Sequence, residues 1–170
     1  MTNINLIINK NEKVLKCKSK TMRVKEVIND LKDGLYDFNP PYQRGDVWKK
    51  PNQRKLIESI LQEIPINTIH LVSSGKNHPQ YYVLDGKQRL TSIFNFCKGQ
   101  KNTDSFSISL EENRKQKNIY WNNIQNDYPD IREIIENALL NVVIWESCDF
   151  VKQKEIFKKV NYSKNINTNE

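Results

Sequence analysis

The chain has 170 residues, 37% of them hydrophobic and 28% charged, with a mean hydropathy of −0.74, which suits one polar globular domain over residues 1–170 and is short for two. No apolar run approaches the roughly 20 residues of a membrane span, and MTNINLIINKNEK has neither a basic leader nor a small-residue cleavage site, so an intracellular protein, cytoplasmic or nuclear and not secreted, is expected. The net charge of +7 admits a nucleic-acid partner through phosphate neutralisation, although lysine dominates the basic set and lysine-rich faces are commonly only solvated.

Residues 4–8 and 13–17 read as short strands around Asn9-Lys10-Asn11-Glu12. Thr21 is placed to cap a helix with an apolar stripe at Val24, Val27, Ile28 and Leu31, stopping at Gly34. After the extended piece LYDF comes the proline-stiffened NPPYQRGDVW, and Pro51 then opens a helix with apolar positions Leu56, Ile57, Ile60, Leu61 and Ile64. INTIHLV and QYYVL, joined by SSGKNHP, predict a hairpin.

Leu90, Ile93, Phe94 and Cys97 mark the core stripe of a following helix that ends at Gly99. A strand at Phe106 to Leu110 leads to a helix carrying Ile131, Ile134, Ile135, Ala138 and Leu139, then a strand at NVVIWE and a helix at DFVKQKEIFKKV. The polar tail NYSKNINTNE is expected to fray. These elements predict an α/β (α+β) domain, a small mixed sheet with flanking helices.

Three widely spaced cysteines, Cys17, Cys97 and Cys148, with His70 and His78 near none of them, argue against a disulfide framework or a zinc site and suggest reduced, partly buried thiols. The chemistry concentrates where a strand runs into a helix, at Tyr81-Tyr82-Val83-Leu84-Asp85-Gly86-Lys87-Gln88-Arg89. A helix start presents unpartnered N–H groups and partial positive charge, and so stabilises an anion. Gly86 permits a sharp bend, Lys87 and Arg89 add cations, and Gln88 both donates and accepts. Asp85 either holds Mg²⁺ against phosphate or caps the helix and orients Arg89 by an ion pair. The plain alternative is a structural cap with solvated cations, and no GxxxxGK[ST] loop occurs. Pro41-Tyr42-Gln43-Arg44 repeats the amide-arginine pairing, so two loops facing one cleft would bring Arg44 and Arg89 together with Tyr42 as a stacking face.

In their order, NPPYQRGDVW, KLIESILQEIPI, YYVLDGKQRLTSIFNF and IFKKVN resemble the N-terminal domain of GmrSD-type restriction endonucleases, grouped with ParB and sulfiredoxin-like nucleotide-binding folds, over residues 21–170. The resemblance implies nucleoside triphosphate binding and hydrolysis, base unknown and Mg²⁺-dependent, in DNA-related defence or genome handling. Asp85, Arg89 and Arg44 would then be catalytic, Asp85 would hold the metal, and Tyr42, Gln43, Arg44, Gly86, Lys87, Gln88, Arg89 and Asn161 would line the nucleotide site. Lys87 stands where the family's Asp-Gly-Gln-Gln-Arg motif has its first glutamine, and the tail lacks the family's glycine. The family's nuclease region lies in a separate C-terminal part, so DNA cleavage is not expected from this chain alone. A sulfiredoxin reaction needs a cysteine in the phosphate loop, and DGKQR has none. The alternative is a non-catalytic DNA-binding or adaptor module with a decayed pocket. Its candidate contacts are Lys49, Lys50, Arg54, Lys55, Lys152, Lys154, Lys158 and Lys159, or else a protein partner.

Overall fold

The computed structural model describes residues 16–38, 48–76, 79–98, 105–112 and 115–166, with side chains to residue 161. A five-stranded sheet is built from β1 (Cys17–Arg23), β2 (Tyr36–Asp37), β3 (Ile69–Ser73), β4 (Tyr81–Asp85) and β7 (Leu139–Trp145), in the order β1-β7-β3-β4-β2. β1 runs antiparallel to β7 and β3 antiparallel to β4, while β3–β7 and β2–β4 are parallel. A separate antiparallel ribbon joins β5 (Ile108–Glu112) to β6 (Lys115–Ile119). The expected mixed α/β class, with helices flanking a small sheet, is what the chain adopts.

The helices are α1 (Val24–Lys32), α2 (Lys50–Leu61), α3 (Lys87–Cys97), α4 (Trp121–Asp127), α5 (Pro129–Asn137) and α6 (Phe150–Ile166). The apolar stripes of α1, α2, α3 and α5 converge with Leu71, Val83 and Val142 into the main core. On the other side of the sheet, Ile156 of α6 covers Val72 and Leu84. This division follows from strand alternation: Val83 and Leu84 are both fully buried because they point to opposite, covered faces. Phe96 anchors the main core, with its ring 5.3 Å from Phe106 and 5.8 Å, edge-on, from Trp121.

Several expectations need correction. Thr21 does not cap α1. It lies in β1, and the helix start is satisfied when the Arg23 N–H donates to Glu26 Oε2 at 2.9 Å. β1 runs to Arg23, well past the strand expected to end at 17, because an edge strand that buries only Met22 carries little apolar alternation. Ala138 and Leu139 leave α5: the helix stops at Asn137 and Leu139 opens β7, 64% exposed. α4 and β6 escaped detection, being a single short turn-rich stretch and a polar strand. α6 continues through Ile166, into the tail expected to fray. Of the thiols, Cys17 is exposed while Cys97 and Cys148 are half-buried, and all three are free. The strands expected before residue 16, the Pro40-Pro41 turn, His78 and Gly99 lie outside the described residues.

Phe96→Ala should leave a cavity among aromatic neighbours and lower unfolding free energy by about 3–5 kcal/mol. Urea denaturation measures it, and a loss below ~1 kcal/mol would contradict Phe96 as the anchor.

Candidate functional site: the bend between strand and helix

β4 enters the bend irregularly. His70 opposes Asp85 but Leu71 opposes Val83, so the register slips and Leu84 is the extra residue. Gly86 then takes a left-handed conformation, φ +99°, as the N-cap of α3. A Cβ there would sit 3.0 Å from Ile69 Cγ1 and 3.4 Å from Arg89 Nη2, so conformation and packing both require glycine. Among the described residues no side chain caps the helix, and its first turn contains no acidic residue.

Arg89 is the third residue of α3, with its side chain folded back into the bend. Its Nη2 is 2.6 Å from Asp85 Oδ2, and the two side chains are only 10% and 15% exposed. The guanidinium also donates to the Asn67 carbonyl and, at 3.2 Å, to the Thr68 carbonyl. Burial draws Arg89 down from its ordinary pKa, and Asp85 opposes that shift. The planar donor fork thus ties three segments at once: the end of β4, the start of α3 and the strap before β3. Of the two roles the sequence left open for Asp85, its geometry is that of Arg89's counter-ion.

Gln88 Oε1 accepts the Trp48 N–H at 3.0 Å, while Gln53 Nε2 of α2 donates to the Trp48 carbonyl at 2.8 Å. The backbone of Trp48 is therefore held through both its N–H and its carbonyl. Tyr42, Gln43 and Arg44 lie outside the described residues, and Trp48 is fastened to the first turn of α3. Gln53 was missed by sequence reasoning. The signal was available, since it falls three and four residues before Leu56 and Ile57 on the apolar face of α2 and is accordingly buried. Its Oε1 has no hydrogen-bond partner among the described residues.

The remaining candidates are more dispersed. Lys87 is half-buried in the first turn of α3. Asn161 donates from Nδ2 to the Phe157 carbonyl of its own helix at 2.8 Å, with no recorded bond to the bend. His70, beside Asp85 in the sheet, stacks on Trp145 at 6.4 Å, and its Nδ1 accepts the indole N–H at 3.4 Å, which favours the proton on Nε2 in the neutral ring. Burial pushes the Cys97 thiol up, away from the reactive thiolate. Among the described residues no group of three His, Cys, Asp or Glu side chains has the arrangement of a metal site, and no helix is long and apolar enough to cross a membrane.

The basic helix starts are partly committed to the fold. Lys50 Nζ donates to the Ser105 carbonyl at 3.0 Å and Arg54 Nε to the Ser107 carbonyl at 2.9 Å. Lys152 and Lys159 both grip Glu155, at 2.9 and 2.7 Å, holding that carboxyl down at about 2.

Arg89→Met should destabilise the protein by about 3–5 kcal/mol, because it takes the guanidinium away from Asp85 and from the Asn67 and Thr68 carbonyls together. Adding Asp85→Leu should restore part of that loss. If urea unfolding finds the double variant as unstable as the sum of the two single changes, the two side chains are not energetically coupled.

With this geometry in hand, comparison with known proteins adds one finding. A family model described as the GmrSD restriction endonuclease, N-terminal domain, matches residues 24–169. Neither curated proteins nor solved structures gave a significant match. The match spans every element from α1 to α6, including the bend and the Trp48 segment, and on that ground the chain belongs to the GmrSD restriction endonuclease N-terminal domain family.

Proposed function

We propose that this domain binds a nucleoside triphosphate at the Asp85-Gly86-Lys87-Gln88 bend, and that nucleotide occupancy governs its part in a restriction-related defence system. The observation that carries the reading is the helix start: α3 opens behind a left-handed glycine, with no side-chain cap bond among the described residues and a lysine, not an acid, in its first turn. A cation there works against the helix dipole, and a phosphate would offset both. Family membership supplies the restriction-related context.

In this reading Arg89 and Asp85 are positioning residues. Their pairing spends the guanidinium and the carboxylate on the bend itself, so Lys87 and the peptide N–H groups are the phosphate contacts. The donor set as arranged fits a triphosphate better than a bare cation. With Asp85 Oδ2 on Arg89, Mg²⁺ would have to arrive with the nucleotide, and no step is assigned to it. Tyr42, Gln43 and Arg44, the other residues proposed for the site, lie outside the described residues. Binding is favoured over turnover. Hydrolysis would rest on electrostatic stabilisation of the transferring phosphoryl group, with Arg44 the cation available for it.

DNA is the macromolecular partner that the family context suggests. Lys49, Lys55, Lys154 and Lys158 are exposed and better disposed to meet it than Lys50, Arg54, Lys152 and Lys159, which hold carbonyls or Glu155.

The folded protein should melt at higher temperature with at least one of ATP, GTP, CTP or UTP plus Mg²⁺, as ligand linkage demands. Lys87→Ala should weaken that nucleotide about tenfold, ~1.4 kcal/mol, measured on protein shown by circular dichroism to be folded. Phosphate release followed in the same samples reads turnover. A protein whose melting temperature ignores all four triphosphates would end the nucleotide reading.

A further inference from the structure

Away from the bend, a groove of about 810 Å³ opens between the end of α2, the exposed side of α5 and the start of β7. Its apolar lining includes Ile64, Ile134 and Leu139, which are 50%, 38% and 64% exposed. These are three of the five large hydrophobic side chains exposed among the described residues. Single exposed aliphatics need no explanation, but a cluster lining one groove does.

The charge around this floor runs opposite to that of the molecule. Glu63, Asp130 and Glu133 line the groove and, among the described residues, no lysine or arginine does, on a chain whose net charge is +7. All three carboxylates are exposed, and none forms an ion pair within the described structure.

Glu63 is also held at a conformational cost. It follows the C-cap of α2 with φ +55°, the only positive-φ residue other than glycine among those described. Its N–H bonds the Ile60 carbonyl and that of Ile64 bonds Ser59, a helix-ending pattern in which glycine is the usual occupant of this position. A glutamate strained into the left-handed region keeps a carboxylate at the mouth of an apolar groove.

We propose that this groove is a docking site for a segment of a partner protein that presents aliphatic side chains to Ile64, Ile134 and Leu139 and lysine or arginine to the three carboxylates. A second copy of the chain joined by a two-fold axis is disfavoured, because such an interface sets the same patch against itself and would oppose acid to acid. The complementary occupant is an amphipathic basic segment, whose binding here works against the protein's net charge and therefore reports local complementarity.

The test uses a fluorescein-labelled amphipathic helical peptide with leucines at i, i+3 and i+4 and lysines elsewhere, beside a version with glutamates for lysines. The lysine peptide should bind by anisotropy, the glutamate peptide should not, and methyl resonances of Ile64, Ile134 and Leu139 should shift. Leu139→Asp and Glu133→Lys should each weaken binding about tenfold or more, as expected of central contacts. Glu63→Gly should raise the melting temperature while weakening the peptide, a pairing that loss of structure cannot produce. Absence of binding, equal binding of the two peptides, or indifference to these substitutions would overturn the proposal. So would concentration-dependent dimerisation abolished by Leu139→Asp, which would assign the groove to a second copy.

Discussion

A guanidinium buried at the junction of three chain segments governs this domain. Arg89 reaches back from α3 to Asp85 and to the carbonyls of Asn67 and Thr68, so β4, the helix and the strap before β3 meet on one planar cation. Desolvating such a group is expensive, and the cost is recovered only where its donors find acceptors. The same arrangement forces Gly86, since any Cβ would press on Ile69 and crowd the guanidinium. It also sets what the bend can offer a ligand: backbone N–H groups and a lysine, with the arginine turned inward as scaffold.

Much of this was legible in the residues, for identifiable reasons. Stripes such as Val24, Val27, Ile28 and Leu31, or Leu90 and Ile93, announce helices because one face must be buried. The strand-glycine-helix junction at Asp85-Gly86-Lys87 stood out because it changes period abruptly. The direction of Arg89 did not, because an arginine four residues from an aspartate reads equally well as a ligand grip or as an internal brace. The decisive acceptors are two backbone carbonyls more than twenty positions earlier, which have no side-chain signature. β1 and β6 were hard to see because lysines and asparagines on exposed strands carry no hydrophobic alternation. Gln53 looked like an ordinary polar residue until its place on the apolar face of α2 was counted.

The strap between α2 and β3 gives the molecule a unity that its list of elements hides. Ile64, Pro65 and Ile66 line the acidic groove, and the next two residues supply the carbonyls that hold Arg89. Five consecutive residues thus serve two features of opposite character, one apolar and open, the other polar and closed. A substitution within this short stretch therefore touches both features at once.

The pairing of the first described strand with the last has a consequence for how the chain is made. Among the described residues β1 pairs with β7 alone, with Cys17 opposite Trp145, so most of the polypeptide must be synthesised before this early strand finds that neighbour. Throughout that interval its hydrogen-bonding edge is open to any passing strand. Lys16, Lys18 and Lys20, spaced at every second position, make the waiting edge repellent to others like it, so the positive charge also acts as a guard against sticking during birth.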